Sequence, residues 1–209
     1  MIPKDVRVVK DDIDRQLLPF VRQPARYIGG EVNQVQKDLS RCDVRVGLCF
    51  PDIYEIGMSY NGLGLLYEIL NGLEGVAAER VFAPWLDAEA LMRDKGLPLF
   101  SLEACAAVRD FDLLGFSLTN ELCYTTFLNM LDLAGLAVRS ENRRDTDPLV
   151  IVGGQAANCA EPLAAFADLF VLGEGEEAAV ELVELFRAVK GDGGTKKDFL
   201  LKAARQFDF

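Results

Sequence analysis

Residues 44–62, VRVGLCFPDIYEIGMSYNG, decide the fold. All of Val44 to Phe50 except Arg45 is apolar, β-branched or small, the pattern of a strand buried on both faces. Pro51 stops the run, and Asp52, Tyr54 and Gly57 form a D-x-Y-x-x-G loop. Beyond Gly62, the residues Leu63, Leu66, Ile69 and Leu70 recur at helical spacing until Asn71-Gly72 closes the helix. A doubly buried strand feeding an amphipathic helix is the first half of a βαβ unit.

Working outward, the rhythm repeats. Val76 to Phe82 reads as a weaker strand ended by Pro84, Trp85 to Arg93 as a helix, and Leu97 to Leu102 as a short extended piece. Phe111 to Leu118, FDLLGFSL, is a second central strand. Tyr124, Phe127, Leu128 and Leu131 then share a helix face that ends at Gly135. Leu149 to Val152 predicts a third central strand and Asp168 to Leu172 a fourth. The helix after them buries Ala179, Leu182, Val183 and Phe186, and breaks at Gly191-Asp192-Gly193-Gly194 before a last, solvated helix, Lys196 to Gln206. The alternation predicts an α/β fold, a doubly wound, flavodoxin-like or Rossmann-type parallel sheet of about five strands with helices on both faces. The first forty residues break the rhythm. Charged helical patches at Asp11–Val21 and Val32–Leu39, joined by Gly29-Gly30, predict a pre-domain arm and not a core element. The expected division is a helical arm over 1–42, the sheet domain over 43–190, and a linker with a helix over 191–209.

Composition narrows the function. The 209 residues are half apolar, enough for one real core, and carry a formal net charge of −11. That balance argues against nucleic acid as a partner. The N-terminus lacks a secretory apolar region and no apolar run approaches the ~18 residues of a membrane span, so no membrane partner and a cytoplasmic location are expected. The five cysteines, at 42, 49, 105, 123 and 159, have no zinc or cluster spacing and read mostly as small buried hydrophobes. Histidine is absent, which removes the commonest general base and the commonest transition-metal ligand. No catalytic set and no metal site emerge, and neither a GxGxxG nor a GxxxxGK[ST] loop is present. The chain is not expected to catalyse a reaction in isolation.

What remains is the set of loops at the carboxyl ends of the strands, which line the binding crevice of open α/β sheets. Asp52 is a candidate ligand contact or a plain turn cap. Ser117 and Thr119 offer hydroxyls to a ligand or cap the next helix. Gly153-Gly154 makes room along the strand end or simply a tight turn. In Gly173-Glu174-Gly175-Glu176 a helix start favours an anion, but its acids repel one and instead complement the helix dipole.

The order D-x-Y-x-x-G, Ser-x-Thr, Gly-Gly resembles the cobalamin-binding domain of methionine synthase and the mutases, whose pattern is D-x-H-x-x-G, S-x-L or S-x-T, and G-G. The stretch GGQAANCAEPLAAFADLFVLGEGEEA is similar to a segment of cobalamin-dependent radical S-adenosylmethionine (SAM) proteins. PARYIGGEVN, FPDIYEIGMS, ERVFAPW, LFSLE, FDLLGFSLTNEL and LNMLDLAG resemble the N-terminal half of one radical SAM family more closely still, over about residues 15 to 190. The resemblance implies cobalamin as a cofactor, with Asp52, Tyr54, Gly57, Ser117, Thr119, Gly153, Gly154, Gly173 and Glu174 as its contacts. Ser117, Thr119, Gly153 and Gly154 match the positions beside the buried nucleotide tail. Tyr54 stands where the mutases carry the cobalt-ligating histidine, so the implied binding mode is base-off with no imidazole on cobalt. Gln155 departs from the family's proline after the glycine pair. The CxxxCxxC run that holds a [4Fe–4S] cluster is missing, so cluster and SAM are expected in a downstream radical SAM domain, the implied partner of this module. Two other readings stand beside this one: a cofactor-free docking or substrate-presenting module that keeps only the fold, and a flavin-binding flavodoxin-like protein.

Overall fold

The computed structural model describes residues 5–207; the first four residues of the arm and the last two of the C-terminal segment lie outside it. A five-stranded, all-parallel sheet runs in the order β2-β1-β3-β4-β5, with β1 Val44–Phe50, β2 Val76–Phe82, β3 Leu113–Ser117, β4 Leu149–Gly153 and β5 Leu169–Phe170. This is the flavodoxin-like doubly wound order, and its switch point lies between β1 and β3. The helices are α1 Lys10–Gln16, α2 Tyr54–Met58, α3 Asn61–Gly72, α4 Leu86–Lys95, α5 Tyr124–Leu133, α6 Gly175–Gly191 and α7 Lys196–Gln206.

Alternation along each strand divides the core in two. On one face Val44, Val46, Leu48, Leu113, Leu149 and Ile151 pack against Leu63, Tyr67 and Leu70 of α3 and Leu182, Val183 and Phe186 of α6. On the other, Cys49, Val81, Leu114, Phe116, Val150 and Val152 meet Ala88 and Met92 of α4 and Phe127, Met130 and Leu131 of α5. Gly47 brings this second layer close, because a Cβ there would stand 2.8 Å from Leu114 Cδ2.

Four expectations change. The N-terminal segment belongs to the core: Val9, Ile13 and Leu17 are fully buried beneath the second face. Val32–Leu39 forms no α-helix; after a turn at Val32-Asn33 it runs as a strap along the outer edge of β2, and Leu39 opens a 3-10 turn. Lys37 donates its ammonium to the Val76 and Asn71 carbonyls at 2.6 and 2.7 Å, and Tyr67 Oη accepts from the Val35 amide at 2.8 Å. The Glu103 carboxylate takes the Arg80 amide at 2.7 Å and its guanidinium at 2.6 Å, so the edge that would template another strand is covered. Asp168–Leu172 is not central. It supplies a two-residue edge strand that pairs only with Ile151 and Val152 of β4, and the connection between the two holds only short 3-10 turns and no α-helix. The last helix is solvated on one face and docked by the other, with Phe199 fully buried and its ring 5.6 Å from that of Phe186. Among the described residues, no helix is long and apolar enough to cross a membrane, and no His, Cys, Asp or Glu group could hold a metal ion.

Candidate functional site

The side chains of Leu113, Gly115 and Ser117 on β3, and of Ile151 and Gly153 on β4, alternate onto the face covered by α3 and α6. At positions 115 and 153 that side chain is a hydrogen, and the layers part there. The result is a cleft of about 460 Å³ that enters from the carboxyl end of the sheet and runs down between the strands and the two helices. Its walls are Val46, Leu48, Leu113, Ile151 and Val171 on the sheet side and Leu66, Leu70, Ala179 and Leu182 on the helix side. Ser117, Gly154, Gln155, Asn158, Gly173, Glu174 and Glu176 surround the mouth. The volume lies within the about 300–1,000 Å³ range of small-molecule sites, and the lining has their character, apolar walls with few polar groups.

The glycines differ in what they do. A Cβ on Gly115 would meet only Leu48 Cδ2 at 3.9 Å, and one on Gly153 only Val171 at 3.9 Å, so their missing side chains leave usable space. Gly154 is needed by the turn itself: its φ is +91°, and a Cβ would stand 2.6 Å from the Leu118 carbonyl oxygen, which accepts the Ala156 amide at 3.0 Å. The pair thus divides into open space at Gly153 and a tight turn at Gly154.

Of the expected contacts, Ser117, Gly153, Gly154, Gly173 and Glu174 come together around this cleft. Asp52, Tyr54, Gly57 and Thr119 do not line it. Asp52 caps its own turn, Oδ1 accepting from the Ile53 amide at 2.7 Å. Gly57 lets α2 sit on an aromatic floor, for a Cβ there would overlap the Phe82 ring. Thr119 accepts from the Asn120 amide side chain at 3.1 Å, and Asn120, not Ser117 or Thr119, caps the following turn by accepting from the Leu122 amide at 3.0 Å. Tyr54 donates its hydroxyl to Glu31 at 2.6 Å with its ring edge-on to Phe82; burial, reinforced by that carboxylate, pushes its pKa up to about 12. The Ser117 hydroxyl, by contrast, has no protein partner among the described residues.

Sequence reasoning missed Gly115, the floor of the cleft. The available signal was a glycine inside an otherwise apolar central strand, which marks a close approach by something other than the strand's neighbours. Glu176, whose first-turn position suits the helix dipole, also borders the mouth.

The family model described as the N-terminal part of radical SAM proteins matches residues 62–208, most of the chain and every element from α3 to α7. The chain belongs to the radical SAM N-terminal family. No curated protein and no solved structure matches it. The residues of the family match carry the cleft floor, the Gly-Gly turn and α6, whereas the Asp52 loop lies before it.

Proposed function

We propose that this chain is the cobalamin-binding module of a radical SAM protein, holding the cofactor base-off in the cleft between the sheet and helices α3 and α6. The observation that carries the reading is the open floor at Gly115 and Gly153, beneath the hydroxyl of Ser117, at the strand ends where the resembled domains bury the nucleotide tail. The residues present fit such a group. The apolar walls suit an uncharged heteroaromatic ring, and Ser117, Gln155 and Asn158 supply hydrogen-bonding groups to its polar edge. The chain holds no histidine, so it offers cobalt no imidazole, and Tyr54 donates its hydroxyl to Glu31 instead of facing the cleft. When bound, cobalamin supplies a methyl-carrying metal centre, and the protein supplies its position and its shelter from water. The [4Fe–4S] cluster and SAM, which the family implies for the full protein, require the thiolate run that this sequence lacks and are assigned to a downstream radical SAM domain. The test is incubation with hydroxocobalamin followed by desalting. Retention of one equivalent of corrin absorbance supports the proposal, and a colourless protein refutes it.

A second reading has its own observation. Tyr60, Trp85, Leu86, Leu122 and Leu172, all in segments that follow strands β1, β2, β3 and β5, leave large apolar side chains exposed. A rim of this kind suits a docking module that has kept the fold without the cofactor. It predicts the colourless outcome.

A further inference from the structure

The charge at the cleft mouth has a consequence for what can enter. Among the described residues that line the cleft there is no lysine or arginine, while Glu174 and Glu176 border its mouth, and Glu177 and Glu181 stand on the adjoining surface of α6. The N-terminus of α6 opposes them with roughly half a positive charge. Two full carboxylates at the mouth outweigh it, so the net potential facing a ligand is negative. We propose that Glu174 and Glu176 act as a charge filter, by which the cleft accepts flat, uncharged or cationic heteroaromatic ligands and rejects anionic ones of the same shape. The inference rests on the cleft being a ligand site, as proposed above, and adds the class of ligand. It separates this member of the flavodoxin-like topology from those that seat a phosphate monoester at the β1/β3 switch point. Hydroxocobalamin passes such a filter, because its cobalt-centred charge offsets its phosphodiester. A flavin mononucleotide does not.

The size of the effect follows from Coulomb's law. Two carboxylates about 6 Å from a ligand charge, in a solvent-exposed mouth with a water-like dielectric, change affinity about tenfold. The test uses three small probes of one shape: benzimidazole, which is uncharged at neutral pH, benzimidazole-5-carboxylate, which is anionic, and 1,3-dimethylbenzimidazolium, which is cationic. Each is titrated at low ionic strength into the native chain and into a Glu174→Gln/Glu176→Gln variant. Both glutamates sit at the surface end of α6, so the variant keeps the fold, and its thermal unfolding is measured alongside. The expected result is that the native chain binds the neutral and cationic probes about tenfold or more tighter than the anion. In the variant the anion gains about tenfold and the neutral probe is unchanged. Equal affinity for all three probes in the native chain, or an unchanged ranking in the variant, overturns the filter. So does the absence of binding by any probe. If the neutral ring binds and the anion is rejected while hydroxocobalamin is not retained, the filter stands and the cobalamin proposal falls.

Discussion

Replacing Gly115 by valine separates a ligand cleft from a packing defect. A Cβ at this position meets only Leu48 Cδ2, at an ordinary 3.9 Å, and the two methyl groups point into the cleft. Glycine in a strand interior costs about 0.5–1 kcal/mol relative to alanine. Burying the added carbons against Leu66, Ile151 and Leu182 contributes a further ~1 kcal/mol, taking about 0.8 kcal/mol per methylene and allowing for incomplete contact. Gly115→Val is therefore expected to stabilise the chain by about 1–2 kcal/mol, which for a domain of this size raises Tm by roughly 2–8 °C. The same substitution fills the floor and abolishes corrin retention. The assay is paired: thermal unfolding by circular dichroism without ligand, and absorbance after desalting with hydroxocobalamin. A lower Tm shows that the floor is filled by protein in the native fold. Retention equal to that of the native chain shows that the ligand sits elsewhere. Either result refutes the reasoning.

Other perturbations read other parts of the account. Gly154→Ala forces a side chain into a φ of +91° against the Leu118 carbonyl, and is expected to cost about 1–3 kcal/mol in urea unfolding. Tyr54→Phe removes the hydroxyl given to Glu31 and is expected to cost about 1 kcal/mol of stability while leaving corrin retention unchanged; loss of retention would make Tyr54 a cofactor contact. Glu79 is 3% exposed, and burial raises its pKa to about 7. A carboxyl raised in the fold takes up a proton on folding between the unfolded value of 4.5 and about 7. Stability from this group is complete below that window and falls by about 3 kcal/mol as pH rises through it. Denaturant unfolding from pH 5 to 8 should show the decline, and Glu79→Gln should flatten it.

The sheet is legible in the sequence because parallel strands buried on both faces are written as mostly apolar runs, broken in β1 only by Arg45 and in β2 only by Glu79-Arg80. Val44–Phe50 and Val76–Phe82 were read at their observed bounds. What was not legible depended on contacts distant in sequence. The charges of Asp11, Asp12 and Arg15 make α1 look solvated, yet its single buried stripe, with Ile13 and its flanking Val9 and Leu17, is enough to fix it to the core. Val32–Leu39 has helix-compatible residues, but its groups are drawn away to β2, Tyr67 and Asn71. In the site, Ser117 and the glycine pair could be found because they sit at strand ends, where punctuation is visible. Leu66, Leu70, Ala179 and Leu182 could not, because a residue facing an apolar cleft carries the same pattern as one facing a packed core. Asp52 and Gly57 carry strong motif signals for local reasons, a turn cap and a contact with Phe82, that explain them without a ligand.

The most direct measurement is a titration of the isotopically labelled chain with hydroxocobalamin, followed by amide NMR. The account predicts that the amides of Gly115, Ser117, Gly153 and Gly173 shift together and saturate at one equivalent, while Glu79 and Arg80 on the strapped edge stay in place. An unchanged spectrum, or shifts centred away from the strand ends of β3 and β4, would contradict it.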